Sequence, residues 1–123
     1  MNLLTIIGNL TGDPELRSTT SGKSVCSFTV AVNRRKKVEG QPDADFFRVS
    51  AWNALAENCA KYLAKGKKVS VTGSVSVRTY ETQNGEHRAS LEVMAQDCEF
   101  LSPRGESIDK ETGYQKVDEE IPY

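Results

Sequence analysis

Three aromatic residues stand among cations in a chain that has few aromatics: Phe46, Trp52 and Tyr80. Phe46, Arg48 and Trp52 share parity along one segment, so in a strand they fall on one face, with Phe47 on the other. An arginine on that face argues that it is the wet one. Tyr80 lies two residues beyond Arg78, and Arg34, Arg35, Lys36 and Lys37 form a run of four cations. Flat π surfaces on which unpaired bases stack, with cations that track phosphates, are the combination a single-strand binder needs. Stacking is worth about 1–3 kcal/mol per base and tolerates any sequence, because every base has a π face. The competing reading buries Phe46 and Trp52 in a core and lets Arg48 snorkel outward.

Other chemistry is poorly supplied. There is one histidine, His87, no Cys-His spacing, no phosphate-cradling glycine loop and no cluster of carboxylates. Asp43 and Asp45 are close together but read as solvated loop residues. No catalytic machinery, metal site or cofactor is therefore expected. Cys26, Cys59 and Cys98 are odd in number and widely spaced, which reads as reduced, buried thiols of a cytoplasmic protein. The opening MNLLTIIGNL has no basic n-region and soon meets Asp13-Pro14, so neither a signal peptide nor a membrane span is expected.

The 123 residues suffice for one domain. The net charge of −1 hides an asymmetry: 13 basic and 11 acidic residues through Ser102, then 3 basic and 6 acidic after it. The balance is +2 for the body and −3 for the end.

The elements that must position the aromatic set are mostly strands. Leu3 to Leu10 is an apolar run closed by Thr11-Gly12-Asp13-Pro14, a strand and a turn. Ser18 to Lys23 reads as a turn, and Ser24 to Asn33 alternates with period two. An exposed loop from Arg34 to Asp45 leads to a third strand, Phe46 to Trp52. Leu55, Cys59, Tyr62 and Leu63 mark one face of the only helix, with Asn53 as its expected N-cap and Gly66 as its stop. Phe28 and Tyr62 lie on apolar stripes and are expected in the core. Val69, Val71, Gly73, Val75 and Val77 alternate with polar residues, and Asn84-Gly85 predicts a two-residue hairpin turn. The return strand runs from about Arg88 to Leu101, with Leu91, Val93 and Ala95 alternating. No repeated motif is visible. Five strands with a helix between the third and fourth give the order of an OB-fold, a partly open all-β barrel ending in a long hairpin.

Three regions follow: a domain over 1–102, a polar linker over 103–117 expected to be disordered, and a tip over 118–123. The tip, Asp118-Glu119-Glu120-Ile121-Pro122-Tyr123, sets three carboxylates before an apolar end. That suits a partner pocket with an apolar floor and a basic rim; as a bland alternative it is an acidic solubilising end.

The residues also resemble a family. Ile7-Gly8-Asn9-Leu10, Asp13-Pro14-Glu15-Leu16-Arg17, Phe28-Thr29-Val30-Ala31-Val32, Phe46-Phe47-Arg48-Val49, Tyr62-Leu63-Ala64-Lys65-Gly66, Val71-Thr72-Gly73 and the acidic tip are similar, in order and spacing, to bacterial single-stranded DNA-binding proteins. The resemblance covers essentially the whole chain and implies an OB-fold, a homotetramer, and sequence-independent wrapping of single-stranded DNA in replication, recombination and repair. It puts the stacking positions on Phe46, Trp52 and Tyr80, with Arg34, Arg35, Lys36, Lys37, Arg48, Lys65 and Arg78 meeting phosphates. It implies recruitment of replication and repair proteins through residues 118–123, in the cytoplasm at the nucleoid. The chain departs from the pattern in having no aromatic in the loop after the second strand, Leu3 where a basic residue is common, a short linker, and Tyr123 in place of a terminal Phe. An interaction module of the primosome type with the same fold is the alternative; it has little need of the acidic tip.

Overall fold

The computed structural model describes residues 1–102; the expected linker over 103–117 and the tip, Asp118 to Tyr123, lie outside the described residues. Seven elements follow in chain order: β1 (Leu4–Leu10), β2 (Glu15–Ser18), β3 (Ser24–Asn33), β4 (Ala44–Trp52), α1 (Asn53–Tyr62), β5 (Lys68–Glu81) and β6 (His87–Phe100). The strands hydrogen-bond in the order β1-β5-β6-β4-β3-β2. A short extra pairing of β1 with β3, Asn9 opposite Ala31 and Leu10 opposite Val30, closes a five-stranded ring. β4 and β6 run parallel and the other pairs antiparallel. This is the expected OB-fold, with one strand more than the sequence predicts. β2 is short and wholly exposed, so it carries no periodic signal of its own; it exists because its backbone extends the β3 edge, Leu16 opposite Cys26.

Alternation builds the core. Cys26, Phe28 and Val30 of β3, Val49 and Ala51 of β4, Val69 and Val71 of β5, and Val93 and Ala95 of β6 point inward, joined by Ile6 and Leu10 of β1 and by Ala56, Cys59 and Leu63 under the helix. A fully buried Val contributes about 1.5–3 kcal/mol of transfer free energy, and five valines here are buried to 1 % exposure or less. Phe28 is in this core as expected. Tyr62 is not: it is 37 % exposed and tilts against Phe100 with ring centroids 5.5 Å apart, because the core-facing line of α1 runs through Ala56, Cys59 and Leu63 and leaves Tyr62 on its flank. Val77 continues the alternation of Val69 and Val71 but is 61 % exposed, because the β5–β6 hairpin has by then left the ring.

Closing so small a ring needs close backbone approach at two points. A Cβ on Gly8 would overlap the Ala31 carbonyl oxygen, where β1 meets β3. A Cβ on Gly73 would overlap the Met94 carbonyl oxygen, where the β5–β6 register shifts between Thr72 and Gly73. Such a bulge bends a strand and is how a barrel turns its corner.

The hairpin loops correct the expected turn. Thr82 N–H donates to the Glu86 carbonyl (2.8 Å), Gly85 N–H to the Thr82 carbonyl (2.9 Å), and Glu86 N–H to Thr82 Oγ1 (3.2 Å). Gly85 is left-handed at φ 83°, but Asn84 is not. A two-residue type I′ turn would need positive φ at both. The loop is therefore three residues, Gln83 to Gly85, with the glycine taking the left-handed place. The β2–β3 loop repeats the device. Thr19 N–H donates to Lys23 O, Gly22 N–H to Thr19 O and Lys23 N–H to Thr19 Oγ1, at 2.8, 2.9 and 3.1 Å, with Gly22 at φ 89°. Thr-x-x-Gly thus closes two of the hairpin loops, a likeness invisible until the hydrogen bonds align it.

Helix α1 begins differently from expectation. Trp52, not Asn53, occupies the N-cap and makes no side-chain cap; Asn53 takes a left-handed backbone at φ 59°, which asparagine tolerates better than most residues. Beyond Leu63, Gly66 at φ 87° turns the chain back, and its N–H donates to the Leu10 carbonyl at 2.9 Å.

Candidate nucleic-acid interface

The parity that sends Val49 and Ala51 inward sends Phe46, Arg48 and Trp52 outward on β4. Phe46 is 56 % exposed, Trp52 36 % and Tyr80, near the end of β5, 44 %. All three rings therefore offer area to solvent, and the reading that buries Phe46 and Trp52 fails. Phe47, on the other face, packs against the core.

Register brings the second and third strands of the site alongside. Arg48 of β4 stands opposite Glu92 of β6, and Glu92 opposite Ser76 of β5; Arg78 faces Ser90 and Tyr80 faces Arg88. One groove is lined by Arg48, Arg78, Tyr80, Ser90 and Glu92. Arg48 also reaches a second groove with Thr11, Asp13, Glu15, Ser27 and Thr29. So the chain sets a ring face, two guanidiniums and small hydroxyl residues along one surface of three strands. The Arg78 guanidinium lies 3.8 Å from the Glu92 carboxylate, too long for a hydrogen bond.

The basic run divides. Arg34 is tied down: its Nε and Nη2 both donate to Asp45 Oδ1, at 3.1 and 2.8 Å, and Nη1 donates to Gln41 at 3.1 Å. Asp45 is thus the anchor of this loop rather than a merely solvated carboxylate. Arg35 lines a different groove, between β1 and β3, with Ile7, Gly8, Asn9, Ala31, Asn33 and Lys68. Lys36 and Lys37 are exposed on the loop. Lys65 is exposed after α1, and its backbone N–H donates to Asp13 Oδ1 at 2.9 Å, which ties it to the rim of the second Arg48 groove. The structure thus brings Arg48, Arg78 and Tyr80 together, flanks them with Phe46 and Trp52, and leaves Arg35 on a separate groove.

Sequence reasoning missed Glu92, Ser90 and Thr29. They carry no motif; only the hairpin register, counted back from the loop, sets Ser90 and Glu92 beside Arg78.

The thiols are not part of this surface. Cys26 and Cys59 are buried and Cys98 half-buried, and all are free. Burial, with Cys59 nearby, pushes the Cys26 thiol up to about 11, and a hydrogen bond with Cys98 plus burial pushes Cys59 upward too. Among the described residues no group of His, Cys, Asp or Glu could hold a metal ion, and no helix is long and apolar enough to cross a membrane.

Residues 1–101 match the model of the single-strand binding protein family. The chain belongs to the single-strand binding protein family. It is 44 % identical over 102 residues to "Single-stranded DNA-binding protein 3" of Clostridium acetobutylicum, an alignment covering 82 % of this chain and 71 % of that one. "Single-stranded DNA-binding protein 2" of the same organism is 39 % identical over 123 residues, covering 99 % and 89 %. "Single-stranded DNA-binding protein 1" of Staphylococcus aureus is 39 % identical over 117 residues, covering 94 % and 75 %. The family's members are binding proteins rather than enzymes, which agrees with the lack of catalytic machinery in the sequence.

Proposed function

We propose that this chain is a non-enzymatic, sequence-independent sheath for single-stranded DNA. The observation that carries the reading is the groove of Tyr80, Arg48 and Arg78, with the exposed rings of Phe46 and Trp52 on the adjoining strand face. Bases stack on Phe46, Trp52 and Tyr80. Phosphates meet Arg48 and Arg78 on the sheet, and Arg35, Lys36, Lys37 and Lys65 around it. Arg34 contributes to the field while holding the loop through Asp45. Family membership supports the same ligand.

The working unit in this proposal is a homotetramer. Its support is a row of side chains on the opposite face of the sheet: Val30, Phe47, Leu91 and Val77 follow one another across β3, β4, β6 and β5. Exposure climbs along it from none at Val30 to 37 % at Leu91 and 61 % at Val77. An apolar row that runs out of its own core is covered when copies of the chain pack hairpin against hairpin. The sheath acts in replication, recombination and repair, in the cytoplasm at the nucleoid. Asp118, Glu119, Glu120, Ile121, Pro122 and Tyr123 recruit partner proteins through apolar contact and carboxylate pairing.

The test uses the only tryptophan. Adding oligo(dT) to the full chain should quench Trp52 emission, with the affinity falling as salt rises. Unchanged emission at saturating DNA would remove Trp52 as a platform, and the absence of any DNA binding would end the proposal.

A further inference from the structure

We propose that Glu92 limits the affinity of the surface by setting a carboxylate beside Arg78 where phosphate would dock, an inference that rests on the single-stranded DNA reading above. Glu92 is the one carboxylate in the groove formed with Arg48, Arg78, Tyr80 and Ser90. It stands in register between β4 and β5, opposite Arg48 on one side and Ser76 on the other, on the face that carries the rings. Its side chain is 35 % exposed, against 71 % for Arg78. Among the described residues Arg78 is its charged partner at 3.8 Å, and Glu92 accepts no hydrogen bond from a side chain. This is a poor structural ion pair. A bidentate Arg–carboxylate pair is short and paired twice, as Arg34 approaches with Asp45 in the same molecule. A carboxylate that is recessed, loosely paired and flanked by two guanidiniums occupies the place an incoming phosphate oxygen would take.

The consequence is competition. Phosphate reaching Arg78 comes to lie beside the Glu92 carboxylate, so its contact at this groove loses part of its Coulomb gain. The loss is modest, because exposed pairs of this kind are worth only a fraction of a hydrogen bond.

The test is a double-mutant cycle in the full chain, read by anisotropy of labelled oligo(dT) across a salt series. Glu92→Gln and Glu92→Ala should each tighten binding by about two- to fivefold. Each should also steepen the slope of log affinity against log salt by about 0.7, one more phosphate contact on a single strand. In an Arg78→Ala background the same changes should have no effect on either quantity. The proposal is overturned if Glu92→Gln leaves affinity unchanged or weakens it, or if the gain persists undiminished without Arg78. Those results would leave the DNA reading intact provided the wild-type chain still binds; a wild-type chain that binds no oligo(dT) takes both down together.

Discussion

Replacing Tyr80 with alanine separates binding from folding more sharply than any other single change. The ring is 44 % exposed on the hairpin, opposite Arg88 and beside Arg78. Little of the core rests on it, so Tyr80→Ala should alter stability by no more than about 0.5 kcal/mol, the usual range for surface sites. Phe28 is the control: it is 3 % exposed at the centre of the barrel, and Phe28→Ala should cost about 3–5 kcal/mol. At about 4–8 °C per kcal/mol for a domain near this size, the control melts more than about 10 °C lower while Tyr80→Ala melts with the wild type. Binding reverses the order. One lost stacking platform removes about 1–3 kcal/mol per base, a weakening of about 5- to 150-fold toward an oligo(dT) short enough to engage one chain. Tyr80→Phe keeps the π face and should keep the affinity. Anisotropy titration and a thermal melt on the same samples read both quantities. If Tyr80→Ala bound within a factor of about two of wild type, or melted as early as Phe28→Ala, the ring would be a packing residue and the stacking argument would be wrong.

Two further predictions concern the barrel itself. Gly73→Ala places a Cβ against the Met94 carbonyl at the bulge, where only backbone can yield; it should cost about 1–3 kcal/mol in a urea titration, and an unchanged midpoint would show that the corner is more pliable than its geometry. The Cys26 thiol titrates in the folded chain at about 11 against an ordinary 9.0. An acid whose folded value is raised stabilises the fold fully below 9.0, and that contribution is lost as pH climbs from 9.0 through about 11. The urea midpoint should fall across that window, and Cys26→Ala should fall less; equal slopes would mean that other groups drive the loss.

The features legible in the sequence were those with a period. Alternation alone gives β3, β4 and the first half of β5, and parity alone puts Phe46, Arg48 and Trp52 on one face with Phe47 on the other. What escaped depends on partners distant in sequence. β2 has no apolar stripe and is a strand only because the β3 edge accepts it. Tyr62 lies at the margin of the helical stripe, while the line that reaches the core is Ala56, Cys59 and Leu63, so a stripe read one position too wide counts it as buried. Val77 keeps the alternation of Val69 and Val71 after the hairpin has left the ring, so an unchanged pattern spans a changed environment. Asn84-Gly85 favours a two-residue turn locally. The Thr82 hydroxyl, by accepting from the Glu86 amide, supports the three-residue loop instead. That single residue of loop length matters to the site, because it fixes Ser90 opposite Arg78 and Glu92 opposite Ser76.

The same dependence explains why the site sits on strands rather than on the basic loop. In β4 one run of residues serves two purposes: Val49 and Ala51 seal the barrel while Phe46, Arg48 and Trp52 project from the other side of the same backbone. Each outward ring is therefore held at a spacing set by the pleat, and the core that stabilises the fold also preorganises the surface. A loop cation such as Lys36 supplies charge without fixed position, and charge of that kind suits a phosphate chain whose path varies. Base stacking needs a platform that does not move, phosphate steering does not, and the division between strand aromatics and loop lysines follows from that difference. It also makes the two parts separable: neutralising Lys36 and Lys37 acts on the salt slope, whereas a change within β4 or at Tyr80 acts on the affinity that survives at high salt.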